Sequence, residues 1–335
     1  MDMVAVEELQ ARQAGVIARR QVLALGGDDN DIERMIRRRA WARVLAGCYV
    51  DHTGHPTWEQ RAWAAVLGHA PAVLAGASAL VAHGLRTRSG PRSVDEALEI
   101  AVDASRCPRP AAGLRIRRIK HLDRLAQWHL GPPRIRLEPA LLDVASRARD
   151  EAGAVAVLAD ACQQRRTTPR RLLDALATMR GLRRKKLLRE ILADVDSGAF
   201  SVLERRYLVQ VERRHGLPSA TRQRVVRTGR TTTHRDVDYR DQRTIVELDG
   251  RLGHEWSADR WADLDRDIAS AVEEAITLRA GWKQVLEPCR LAMAVGAVLR
   301  ARGWQGQVRG CGPGCPAAAG NSEAFPAPGA GKASA

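Results

Sequence analysis

The sequence predicts an α/β chain of the α+β multidomain kind, and three observations carry that expectation. An N-terminal run reads as helix, turn, basic helix and hairpin. A block from Pro139 to Asp196 repeats apolar residues at spacings of three and four. Between Ser201 and Trp304, strand-like alternation is bracketed by helical stretches. At 335 residues the chain is long enough for several cores. The expected divisions are a DNA-binding-type unit over residues 1–56, a mixed strand and helical connector over 57–197, an α/β domain with a small central mixed sheet over 198–305, and a disordered tail over 306–335.

In the first unit, a short helix around Arg19 to Leu25 leads through Gly26, Gly27, Asp28 and Asp29 into a second helix, where Ile32, Met35 and Ile36 recur at helical spacing. Asp29, Asn30 or Asp31 is expected to cap that helix. Arg34, Arg37, Arg38 and Arg39 fall on its more exposed side, where they suit phosphates or base edges; an ordinary solvated basic face is the alternative. "WARVLAGCYV" then reads as a two-stranded wing closed near Ala46 and Gly47. This segment resembles the N-terminal winged-helix domain of AbiEi-type antitoxins and related regulators, over roughly the first 60 residues.

In the connector, "ALEIAVD" and "LRIRRIK" alternate as strands do, and "SRCPRPAAG" between them reads as a loop. The uncharged stretch Ala62 to Leu85 is expected to form two short Ala-rich helices broken near His69 and Pro71 rather than a membrane span. Four helices are expected between Pro139 and Asp196, one of them starting at Thr168-Pro169. Beyond Gly306 the composition is Gly, Pro and Ala rich, hence the expected disorder.

Composition narrows the function classes. Apolar residues make up 45% of the chain and aromatic residues only 4%, so cores of Leu, Val, Ile and Ala are expected and an extended base-stacking platform is not. A net charge of +15 and a pI near 10.6 point to a polyanionic partner, DNA foremost. Only five of the 54 basic residues are Lys, an Arg bias that a GC-rich genome also produces. The N-terminus lacks the compact apolar run of a signal peptide, and the six cysteines are scattered, so a cytoplasmic protein without a disulfide framework is expected.

Chemistry concentrates in the C-terminal block. In "SVLERRYLVQVERRHGLP", Leu208 and Val211 lie four and seven positions beyond Glu204, which places that acid on or beside the buried stripe of a helix. "HRDVDYRDQRTIVELDG" reads as a hairpin turning at Asp241 and Gln242. Asp236 and Asp238 share one strand face; Ile245, Glu247 and Asp249 share a face on the partner strand. Asp238 then stands opposite Ile245 and diagonal to Glu247, close enough for both to hold Mg2+ or Mn2+. His254 follows within a few residues as base, proton donor or further ligand. Next, "ADRWADLDRDIASAVEEA" is expected as a helix packing through Trp261, Leu264, Ile268 and Val272, "TLRAGWKQVL" as a strand and "LAMAVGAVLRARGW" as a closing helix.

Glu204, Asp238, "ELDG" with His254, "DRD" and the Leu-Arg and Gly-Trp of "LRAGW" together resemble a domain family related to the very-short-patch-repair endonuclease, within the restriction-endonuclease-like superfamily, over Ser201 to Trp304. The resemblance implies metal-dependent hydrolysis of a phosphodiester, with Asp238 and Glu247 on the metal, Glu204 completing the site and His254 as the repair-nuclease-like histidine. Asp249 stands where the superfamily's Glu-x-Lys has its Lys, so His254, Arg251 or Arg266 would have to supply the positive charge. Repair endonucleases of this lineage also carry a structural zinc. Cys289, Cys311 and Cys315 are candidate ligands, one short of a closed tetrahedral site and not spaced as a standard knuckle.

The expectation is therefore a magnesium-dependent endonuclease brought to DNA by a winged helix, compatible with a homodimer and without a membrane partner. The alternative is a transcriptional regulator or antitoxin-like protein whose nuclease-like domain only binds; the sequence identifies no toxin partner.

Overall fold

The fold is that of a computed structural model, which describes residues 1–85, 97–197, 201–228, 231–250 and 275–319. It is a mixed α/β chain with several small sheets. Two compact units divide it, one of residues 1–148 with 157–185 and the other of residues 149–156 with 186–335. The expected breaks at residues 56 and 197 do not coincide with this division, because the first 56 residues pack with most of the connector and the last connector helix belongs to the second unit.

The first unit opens with α1 (Met3–Arg12), β1 (Val16–Ala18), α2 (Arg19–Ala24), α3 (Asp29–Arg37), β2 (Ala42–Leu45) and β3 (Cys48–Val50). The three strands form an antiparallel sheet in the order β1-β3-β2. Val6, Ile17, Val22, Ile32, Trp41 and Tyr49 make its core, the two aromatic rings stacked at a centroid distance of 6.0 Å. Gly47, at φ +69°, closes the β2–β3 hairpin at the expected place in a conformation that Cβ-bearing residues avoid. The cap of α3 differs from expectation. Asp28, in extended conformation, accepts from the Asp31 N–H at 2.8 Å, and Asp31 answers by accepting from the Asp28 N–H at 3.2 Å. Asp29 instead pairs with Arg19. Asp28→Ala is expected to lower the stability of this unit by about 1 kcal/mol in urea unfolding.

The rest of this unit carries a five-stranded mixed sheet in the order β6-β5-β4-β8-β7. Its elements are α4 (Trp58–Gly68), β4 (Val73–Leu74), α5 (Gly76–Ala82), β5 (Leu98–Asp103), β6 (Leu114–Ile119), α6 (Leu122–Leu125), β7 (Ala126–Gln127), β8 (Arg134–Ile135) and α7 (Leu137–Arg147). The helix break near His69 and Pro71 and the strands on either side of the Cys107 loop follow the sequence reading; β5 and β6 pair in parallel. After α8 (Glu151–Gln163), α9 (Pro169–Thr178) starts as expected, Thr168 accepting from the Arg171 N–H. No described helix is long and apolar enough to cross a membrane.

The second unit runs α10 (Lys185–Ser197), α11 (Ser201–Arg206), a π-helical continuation over Tyr207–Arg213, β9 (Thr221–Thr228), β10 (Thr231–Tyr239), β11 (Thr244–Asp249), β12 (Ile276–Gly281), α12 (Trp282–Val285) and α13 (Pro288–Ala301). The four-stranded sheet has the order β12-β11-β10-β9, antiparallel except for the parallel β11–β12 pair. The expected strand "TLRAGWKQVL" ends at Gly281, where the Gln284 side chain accepts the Gly281 N–H and begins α12. The expected helix through Trp261, Leu264, Ile268 and Val272 lies outside the described residues. Residues 306–319, expected to be disordered, form a defined segment ending in a 3-10 turn at Pro316–Ala319; Gly296, lacking a side chain, leaves room on α13 for Val308.

Candidate functional site

Leu203, Tyr207, Val211 and His215, four residues apart, make a fully buried stripe along the helix that opens the second unit. Glu204 sits beside it, half-buried, and its carboxylate accepts from Gln223 Nε2 at 2.8 Å. Burial pushes its pKa above the ordinary carboxyl value against that hydrogen bond, and the charges of Asp236 and Asp194 add to the push. A carboxyl raised in the folded state contributes stability that is present below its unfolded value and is lost as pH rises through the folded one. Glu204→Gln keeps the Gln223 bond and removes the charge. Its melting temperature is therefore expected to gain on the parent's between pH 4 and pH 7; a gain by the parent would contradict this.

The β10–β11 register places Asp238 opposite Ile245, as expected. The paired register ends at Val237 and Val246, and Asp236 on β10 and Glu247 on β11 are the next residues beyond that last pair. An Asp236 oxygen also accepts the Leu248 N–H at 2.7 Å, which fixes the carboxylate over β11. Asp238 is held differently. It is 3% exposed, and one of its oxygens lies 2.9 Å from Arg224 and 3.5 Å from Arg235. A carboxylate buried between two guanidiniums is a structural ion pair, and among the described residues Glu204, Asp238 and Glu247 form no group of ligand atoms close enough for one ion, against the expected metal role of Asp238. Asp236 is the β10 acid left at this end of the pair: its carboxylate lies on the Leu248 N–H of β11, and its charge helps raise the carboxyl of Glu204.

Glu247 lies 3.4 Å from Arg279, its register partner on β12, and Asp249 ends β11 beside Gly281. His254, Arg251 and Arg266 lie outside the described residues. Arg34, Arg37, Arg38 and Arg39 are all exposed, Arg34 bonded to Asp31 and Arg39 just past the helix at φ +56°.

The three cysteines are drawn together, and with them a residue the sequence reading passed over. His215, Cys289, Cys311 and Cys315 place one ligand atom each within 4.8 Å of one another; among the described residues the acids form no such group. Sulfur and imidazole donors are not a magnesium set, so this cluster is separate from the acidic face. The signal for His215 was the helix period: a histidine continued the apolar stripe of Leu203, Tyr207 and Val211.

No protein-family model matches the chain, and no curated protein does. Among solved structures, the crystal structure of the RV2827C protein from Mycobacterium tuberculosis is similar over 55% of this chain and 75% of that chain, with 20% sequence identity and a TM-score of 0.35. Likeness of that degree carries no argument about activity.

Proposed function

We propose that the protein is a metal-dependent endonuclease in which the second unit cleaves a phosphodiester and an N-terminal winged helix supplies DNA contact. The supporting observation is the Asp236 carboxylate lying against β11 at the Leu248 N–H, next along that strand from Glu247, with its charge among those that raise Glu204. Carboxylate oxygens on neighbouring strands fit a hard divalent ion by donor type, with Asp236 and Glu247 as the holding pair. A bound Mg2+ or Mn2+ would supply charge to the scissile phosphate and lower the pKa of a water. Glu204, its carboxyl raised above the ordinary value by burial, would accept that water's proton. Arg279, 3.4 Å from Glu247, would supply the positive charge that Asp249 does not. Exposed Arg34 and Arg37 on α3, with Arg38 and Arg39 just past its end, supply phosphate contacts from the third helix of a helix, strand, helix, helix and hairpin unit.

A second reading, a DNA-binding regulator or antitoxin-like protein with a degenerate nuclease domain, is favoured by the arginine partners of Asp238 and Glu247. Supercoiled plasmid incubated with Mg2+ or Mn2+ separates the two. Nicking by the parent that Glu247→Gln abolishes supports the nuclease. Plasmid left intact under every divalent ion, by a protein that still shifts duplex DNA in a gel, establishes the regulator.

A further inference from the structure

His215 Nδ1 lies 2.9 Å from the Gln210 carbonyl oxygen and 3.2 Å from that of Val211. Both neighbours only accept, so Nδ1 carries the proton and donates, which leaves Nε2 with its lone pair free to ligate. Nε2 is 3.9 Å from Cys315 Sγ, and Cys289 Sγ is 3.5 Å from Cys311 Sγ. All four side chains are buried or half-buried, and the cysteines are free thiols. In a zinc tetrahedron, sulfurs at about 2.3 Å and a nitrogen at about 2.0 Å from the metal stand about 3.5–3.8 Å apart, so the observed separations already approach a ligand cage. A backbone carbonyl holding the far nitrogen of a histidine is the usual orienting contact of a metal-bound imidazole.

We propose that His215, Cys289, Cys311 and Cys315 bind one structural zinc ion that fastens the segment after α13 to the end of the helix carrying Glu204. The four ligands come from three places: the C-terminal end of that helix, the first turn of α13, and the turn Cys311-Gly-Pro-Gly-Cys315. Gly314 at φ +82° lets that turn fold back, and its three intervening residues match the spacing of zinc ligands supplied by one loop. Four closed protein ligands leave no position for water, which makes the ion structural rather than catalytic. A span within 4.8 Å suits one ion; a two-iron cluster needs ligands set farther apart, around two metals and their bridging sulfides. On binding, each thiol loses its proton to solvent and its sulfur donates an electron pair, with no change of oxidation state. The site does not depend on the nuclease reading, since it shares no residue with the acidic face.

Its removal should free the tail. The Arg309 N–H donates to the His215 carbonyl at 2.8 Å, which protects the Arg309–Gly310 bond while the cluster is closed. Full-length protein, purified without chelator and assayed by elemental mass spectrometry, is expected to hold one zinc per chain. Cobalt replacing the zinc should give the visible bands of a tetrahedral thiolate site. Cys311→Ser and Cys315→Ser should each lose most of the metal, while Cys107→Ser, an exposed cysteine outside the cluster, should keep it. Chelation of the parent should open trypsin cleavage at Arg309, a readout that does not require the variants to fold. Any of four results overturns the proposal: no metal in the parent even after zinc is supplied, retention of full zinc by Cys311→Ser, stoichiometric iron with sulfide, or a metal-free Cys289–Cys311 disulfide.

Discussion

Asp238→Ala is expected to lower the stability of the second unit by about 3 kcal/mol, the low end of what breaking a buried ion pair costs. The carboxylate is 3% exposed and sits against Arg224 and Arg235, of which Arg235 is itself buried at 8% exposure. Removing it takes one ion-pair partner from the buried Arg235 guanidinium, whereas Arg224, 35% exposed, recovers solvent and moderates the loss. For a unit of this size the change corresponds to a fall of about 6–12 °C in melting temperature. Asp238→Asn retains an acceptor for the arginines and should lose less. Urea unfolding, with hydrogen exchange on the β10 amides, checks both; a loss below about 1 kcal/mol for Asp238→Ala would mean that the pair is not a structural one.

Asp236→Asn is expected to act on activity rather than on stability, cutting DNA cleavage by at least about 100-fold, the scale of removing one electrostatic contributor from a transition state. Asn keeps the size of the side chain and an oxygen to accept the Leu248 N–H, so the fold should hold. What it loses is the negative charge that Asp236 holds against β11 beside Glu247. The two neighbouring aspartates on β10 should therefore separate in one experiment: Asp238 variants melt early, and Asp236 variants melt normally but do not nick plasmid. Equal loss of cleavage and stability in both would collapse the distinction.

How much of this was legible depended on how locally each feature is encoded. The spacing of Ile32, Met35 and Ile36 and the Gly47 turn place α3 and the hairpin, because helix period and left-handed turns are properties of a few consecutive residues. The turn after Tyr239 gave the register of Asp238 against Ile245. That register does not by itself tell which β10 aspartate serves Glu247; the arginine contacts of Asp238 and the Leu248 N–H on Asp236 separate the two. Strand β9 was missed because three arginines among eight residues obscure its alternation, and its Arg224 is what neutralises Asp238. The helix period marks His215 as part of the buried stripe, but its neighbour Cys315 lies one hundred positions along the chain, a contact no local pattern encodes. Residues 306–319 misled through their composition, since a segment whose two thiols gather against His215 and Cys289 needs little apolar surface of its own; residues 320–335 lie outside the described residues.

Calorimetric titration of Mn2+ at neutral pH, into protein already saturated with zinc, tests the acidic face most directly. The account predicts uptake of one ion by the parent and by Asp238→Asn, lost in Asp236→Asn and in Glu247→Gln. No uptake by the parent, or uptake that both of those latter variants retain, would contradict it.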